Sequence, residues 1–225
     1  MLQLPDLNLL KEFIEPGRHN RPGATIVPEK VTIHNTDNDS PGAGAKAHSG
    51  FVRNTGYYLL RGEKHWVSWH FSVDDKFAIQ HVPLDELAYH AGPGNRTSIA
   101  IEICMNRDID QPNANARAAL LAAVVLVSLK LPATAIVTHR SWTGKSCPAL
   151  LLDHEAEGAH WDAFREQVAA FHGELSRPGA PVLIPKEETE SLATEATPLD
   201  SLPQGALSNE IDHALVREQV DRLSP

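Results

Sequence analysis

Five short runs rich in β-branched and aromatic residues punctuate the first 172 positions: 31–35 (VTIHN), 67–74 (VSWHFSVD), 77–82 (FAIQHV), 98–103 (SIAIEI) and 135–139 (AIVTH). Each is bounded by turn-forming residues, and each predicts a strand. The stretches between them change to a helical period. Residues 43–60 place Ala43, Ala47, Phe51, Thr55 and Leu59 on one face, which predicts an amphipathic helix. Residues 115–130 predict a second helix, stopped by Leu131-Pro132 because the residue before proline avoids the helical region. Residues 155–171 predict a third, with Trp161, Phe164, Val168 and Phe171 on one side. Asp74-Asp75-Lys76 supplies the turn of a hairpin between the second and third strands. Strands interleaved with helices imply an α/β fold with a central mixed sheet of about five or six strands, flanked by helices.

The pattern fails after residue 172. From 176 to 205 the chain is rich in Pro, Glu, Ser and Thr and has no apolar period, the composition of an extended linker. Beyond it, Leu207, Ile211, Leu215, Val220 and Leu223 recur at helical spacing, with Asn209 as candidate cap, so a short amphipathic helix is expected. The expected organisation is a core domain over 1–172, a linker over 173–206 and a C-terminal helix over 207–225.

Charge sharpens this division. The 225 residues hold 20 basic and 29 acidic side chains, a net charge of −9. Residues 173–225 account for −6 of it and the first 172 for −3, so the acidity belongs mainly to the tail. A net negative chain repels phosphate backbones and anionic surfaces, which argues against nucleic acid as a partner. The longest apolar run, 118–127 (AALLAAVVLV), is about half the length of a bilayer span. The first residues, MLQLPDLNLLKEF, set Asp6, Lys11 and Glu12 among leucines, unlike the basic-then-apolar order of a secretory signal. Two cysteines cannot build a disulfide framework. Eleven of the 12 histidines fall within the first 172 residues, which directs attention to metal and proton-transfer chemistry.

His34 and His139 each close a predicted strand, and Cys147 follows in the loop Thr143-Gly144-Lys145-Ser146-Cys147-Pro148. Two His and one Cys form a catalytic type of zinc set, with three protein ligands and a fourth position for water. Taken singly, each also fits a bland role, a strand-end histidine or a small buried thiol. Glu102 is the one charge in the strand Ser98-Ile99-Ala100-Ile101-Glu102-Ile103; alternation puts it on the face of Ser98 and Ala100, away from the isoleucines. Cys104 is expected to be a buried thiol, and His70 either a core residue or a site residue.

Together, Ile33-His34-Asn35-Thr36, Ser68-Trp69-His70-Phe71, Tyr89-His90-Ala91-Gly92, the stretch from Gly94-Asn95-Arg96 to Ile103, and His139-Arg140-Ser141-Trp142-Thr143-Gly144-Lys145-Ser146-Cys147-Pro148 resemble the zinc-dependent N-acetylmuramoyl-L-alanine amidases of the type-2 class. That class includes phage and prophage lysins and shares its fold with peptidoglycan recognition proteins. The opening Asn20-Arg21-Pro22-Gly23 and the hairpin from Trp69 to Lys76 carry the same resemblance, which spans residues 18 to 172.

The resemblance implies that His34, His139 and Cys147 bind Zn²⁺, that Glu102 activates water and that Lys145 faces the developing oxyanion. It further implies hydrolysis of the amide between N-acetylmuramic acid and L-alanine by a zinc-activated water. Asn35, His90, Asn95 and Arg96 become candidates for substrate contacts. Tyr89 stands where the family has Trp, implying a retained aromatic wall, and Ala100 stands for a Gly, implying a slightly crowded cleft. The rival readings are a non-catalytic peptidoglycan-binding module of the same fold and a structural zinc domain. The implied partner is peptidoglycan or a muropeptide, the site of action the cell wall, reached after cytoplasmic synthesis by a non-classical route. The last helix is expected to serve oligomerisation or docking.

Overall fold

A computed structural model describes residues 6–180 and 209–223. Most of the expected linker, and Leu207 of the expected last helix, lie outside the described residues. Six strands form one mixed sheet in the order β1-β6-β5-β7-β2-β8. They are β1 (Leu9–Lys11), β2 (Lys30–Asn35), β5 (Phe71–Val73), β6 (Ala78–Gln80), β7 (Ser98–Ile103) and β8 (Ile136–Thr138). β7, β2 and β8 run parallel, as do β5 and β7, whereas β5 and β6 are antiparallel. A separate hairpin pairs β3 (Tyr57–Leu60) with β4 (Glu63–Trp66). The helices are α1 (Ala45–Asn54), α2 (Gln111–Ser128), the short α3 (Arg140–Thr143), α4 (Ala159–Leu175) and α5 (His213–Leu223).

The central strands obey the alternation read from the sequence, and it gives the sheet two different faces. Val31 and Ile33 of β2 join Ile99, Ile101 and Ile103 of β7 in the main apolar core, against Leu120, Leu121 and Val125 of α2 and Trp161, Phe164 and Val168 of α4. Ile101 has no exposed surface. Replacing it by Ala removes apolar burial and leaves a cavity between sheet and α2, so a loss of about 2–5 kcal/mol is expected, measured by urea unfolding. The opposite face carries Thr32, His34, Ser98, Ala100 and Glu102, all buried, and is covered by α1 and α5. Parallel pairing sets His34 directly beside Glu102.

Local chemistry explains several boundaries. The Asp74 carboxylate accepts the backbone N–H groups of Lys76 and Phe77, closing the expected hairpin turn, and also that of Ala45 at the start of α1. The Asp110 side chain caps α2 by accepting from Asn113 N–H, satisfying a donor the helix leaves free. The Asn20 side chain donates to Val52 O and Val67 O, and Arg21 forms a two-pronged pair with Glu86 at 2.7 Å. The opening motif is therefore a brace.

Four expectations are corrected. Residues 57–60 form β3 rather than the end of a helix: Gly56 takes φ +64°, and Arg61 and Gly62 take φ +53° and +84°, a two-residue hairpin turn of left-handed residues. A methyl on Gly56 would sit 2.1 Å from Asn20 Nδ2. Within 67–74 only Phe71–Val73 joins the sheet. The third helix begins at Ala159, four residues later than expected, because His154 and Glu155 have positive φ and Asp153 pairs with Ala156 in a tight turn. The last helix is capped by Asp212, whose carboxylate accepts Leu215 N–H, rather than by Asn209.

Candidate active site

The C-terminal ends of the parallel strands β2, β7 and β8 lie along one edge of the sheet, the usual place for a ligand in such folds. His34 and Asn35 end β2, Glu102 precedes the last residue of β7, and His139 follows β8. Cys147 arrives on the loop after α3, and its Sγ lies 3.8 Å from His34 Nδ1. The His139 and His34 rings are 4.6 Å apart between centroids. Glu102 Oε1 lies 3.7 Å from His34 Nδ1. All four side chains are buried.

His34 is held by its other nitrogen: Nε2 lies 3.1 Å from His90 Nδ1. With the proton on Nε2 donated to His90, Nδ1 presents a bare lone pair toward Cys147, the arrangement in which a metal-ligating histidine is oriented by an outer partner. The backbone at His90 is fixed in turn, since Asn95 Oδ1 accepts the N–H groups of both His90 and Ala91. Asn35 spends its amide on backbone, accepting from Leu150 N–H at 2.9 Å and donating to Ile103 O. It thereby ties the Cys147 loop to the end of β7. Of the four residues expected to touch substrate, His90 and Asn95 hold the His34 ring and nearby backbone, Asn35 anchors the loop, and Arg96 alone is exposed.

The surroundings oppose charge. Burial pushes Glu102 up to about 8, and raises the Cys147 thiol well above its ordinary range. Burial also lowers His34 and His90, and His34 is lowered further by neighbouring His139. A buried pocket of neutral imidazoles, a thiol and a reluctant carboxylate is what a divalent cation would stabilise, by favouring the thiolate and carboxylate forms. Glu102 Oε2 and His139 Nδ1 are buried with no hydrogen-bond partner among the described residues, a cost of about 1–3 kcal/mol each unless something else meets them.

The sequence did not point to His213. Its ring nitrogen, with those of His34 and the Cys147 sulfur, forms a buried group of ligand atoms all within 4.8 Å of one another. His213 Nε2 also lies 3.0 Å from Glu102 Oε1. The available signal was that it is the only histidine beyond residue 172 and lies within the one amphipathic segment there. His139 sits beside this group with Nε2 3.1 Å from Glu210 Oε1.

Other site expectations separate cleanly. His70 is a core residue: Nδ1 accepts Ala100 N–H and Nε2 donates to Glu86 O, both at 3.0 Å. Cys104 is a buried free thiol, as is Cys147. Tyr89 belongs to the main apolar core, and its backbone N–H donates to Ser68 Oγ at 3.0 Å. Ala100 is buried and belongs to the second apolar cluster, with Trp69, Val82, Ile211 and Val220 among its members.

Residues 23–150 match the family model described as N-acetylmuramoyl-L-alanine amidase. The chain belongs to this amidase family. Among its curated relatives, the N-acetylmuramoyl-L-alanine amidase CwlH of Bacillus subtilis is 38% identical over 169 residues, covering 73% of this chain and 62% of the relative. XlyA of the same organism, also named an N-acetylmuramoyl-L-alanine amidase, is 39% identical over 163 residues, covering 71% of this chain and 50% of XlyA. The chain thus spans between half and two thirds of the length of these relatives. The solved catalytic domain of XlyA superposes with a TM-score of 0.62 at 39% identity, over 72% of this chain and 99% of that domain. PlyL superposes with a TM-score of 0.60 at 30% identity, over 71% of this chain and 96% of the other. The amidase match ends before α4, and the apolar face of the last helix packs on its own chain, against α1 and β3. No helix among the described residues is long and apolar enough to cross a membrane.

Proposed function

We propose that the protein hydrolyses peptidoglycan at the amide between N-acetylmuramic acid and L-alanine of the stem peptide, with Zn²⁺ held by His34, His139 and Cys147. The catalytic unit is residues 1–172. One observation carries the reading: in a member of the amidase family, His34, Cys147 and Glu102 converge, buried, at the ends of adjacent strands, with His139 and Lys145 beside them. The donor set suits zinc, which accepts imidazole and thiolate and keeps an open position in catalytic sites. When bound, zinc supplies an acidified water and a Lewis acid for the substrate carbonyl.

The chain's own residues do the rest. Glu102 takes a proton from the attacking water and returns it to the leaving amine of L-alanine, base first and acid afterwards. Its burial favours that role, because desolvation opposes the charged carboxylate and so eases its uptake of a proton. Lys145, on the loop just before Cys147, offers a fixed positive charge to the oxygen as negative charge develops. Lys145→Ala is expected to lower kcat about 10²–10³-fold, the cost of losing one such donor, with zinc content unchanged. Normal turnover in that variant would remove Lys145 from the reaction.

Purified protein incubated with peptidoglycan, with and without a chelator, tests the activity as a whole. New L-alanine amino termini should appear and should vanish on metal removal. Binding without release would make the protein a wall-binding module. Release that survives thorough metal removal would end the zinc assignment.

A further inference from the structure

The segment from Asn209 to His213 takes hold of the very groups that the proposed reaction needs. Asn209 O accepts Gly92 N–H at 3.0 Å and Asn95 Nδ2 at 2.8 Å. Glu210 forms an antiparallel bridge with Ala91, and its carboxylate lies 3.1 Å from His139 Nε2. Ile211 N–H donates to His90 O at 3.3 Å, while Ile211 O accepts from Lys145 Nζ. His213 then enters the pocket, 3.0 Å from Glu102 and within ligand range of His34 and Cys147. An extended peptide thus lies along the 90–92 backbone, with one carbonyl on the proposed oxyanion cation and an imidazole where a metal ion would be met.

Its anchorage is modest. Ile211, Val216 and Val220 fit into an apolar patch with Phe51, Val52 and Trp69. Polar contacts at the rim complete it: Arg217 with Asp39 at 2.6 Å, and Asp221 with Asn38 and Ser40 at 3.1 and 2.9 Å. Rim ion pairs hold weakly and are screened by salt.

We infer that residues 209–223 are an internal plug: His213 becomes a fourth protein ligand at the metal's open position, and Asn209–Ile211 fill the groove meant for the peptide part of the substrate. The inference rests on the amidase reading. Three ligands and an open position make a catalytic zinc site, whereas four protein ligands make a closed one. With the plug seated, Lys145 is spent on a backbone carbonyl and Glu102 faces an imidazole instead of water. The chain is then held at low activity, and full cleavage requires that α5 be drawn away.

The test compares three forms of the full chain: wild type, His213→Ala, and Val216→Asp/Val220→Asp, which puts charges into the apolar seat of α5. Two quantities are read, L-alanine amino termini released from purified peptidoglycan and the rate at which bound zinc passes to a coloured chelator. Both variants should cleave at least about tenfold faster than wild type, and should lose zinc at least about tenfold faster, since even an outer partner of a metal ligand is worth that much. Equal cleavage in all three forms overturns the plug, and so does slower cleavage by His213→Ala, which would make His213 part of the catalytic machinery. Zinc release unchanged in His213→Ala overturns it as well. If no form cleaves peptidoglycan, the amidase reading fails by itself, and zinc release alone then judges the plug. If the double variant melts early by circular dichroism, His213→Ala still decides.

Discussion

Glu102→Gln will lower amide cleavage about 10²–10⁴-fold, the range that a positioned general acid–base contributes, while the protein folds and holds zinc as before. Gln matches the shape of Glu and still offers an oxygen to the groups around it, but it cannot take a proton from water or return one to the leaving amine. The fold should not suffer. Glu102 is 1% exposed and sits opposite His34 and Ser72 in the sheet register, and burial already disfavours its charged form; a neutral isostere removes that conflict. The ligand side chains are untouched, so zinc stoichiometry is the control. The comparison is best made also in the Val216→Asp/Val220→Asp background, because Glu102 faces His213 when the tail is seated. A kcat within tenfold of wild type in both backgrounds would give the proton transfers to another group.

The same residue shows why parts of the molecule could be read from sequence. β7 was legible to the residue, because Ile99, Ile101 and Ile103 alternate with Ser98, Ala100 and Glu102, and that period of two is a strand's; that the second face is buried as well was not. The position of His34 and His139 at strand ends and of Cys147 on a Pro-bounded loop was legible, whereas their reading as one ligand set came from the family resemblance. Other segments failed for identifiable reasons. Tyr57–Leu60 continued the helical period of α1, and nothing in hydrophobicity alone reveals that Gly56, Arg61 and Gly62 would adopt left-handed backbone. Residues 67–70 looked like strand, yet the Ala100 N–H is bound by the His70 ring, so a side chain stands where a neighbouring strand would. β1 is only three residues long at the sheet edge, too short for a period to emerge. His213 was illegible as a site residue because its partner Glu102 is 111 positions away, across a segment whose composition says only that it is polar. The helix around it was expected from its apolar spacing; which surface that spacing meets is a property of α1 and the open face of the sheet.

Cys147→Ser should cost the protein its zinc, and with it the chelator-sensitive activity. Serine nearly matches cysteine in size, so packing changes little, but a neutral hydroxyl is a poor substitute for a thiolate as a zinc ligand. Burial holds the Cys147 thiol neutral when no cation is near, so its value as a ligand comes from the ion itself, which favours the deprotonated sulfur. With His34 Nδ1 only 3.8 Å from that sulfur, the pair forms one edge of the proposed ligand set, and the thiolate is the one anionic ligand in it. Zinc affinity should therefore fall by more than the roughly 10–100-fold expected for losing a mere outer partner. After dialysis against buffer without metal, the wild-type chain should keep one equivalent and the variant far less, by atomic emission on the same preparation. Thermal unfolding gives an independent reading, because a ligand bound only by the folded state raises stability with its concentration. Added zinc should raise the Tm of wild type, and the rise should be largely absent from Cys147→Ser. Full zinc content and an undiminished Tm rise in the variant would move the third ligand away from Cys147, and with it the proposed catalytic metal site.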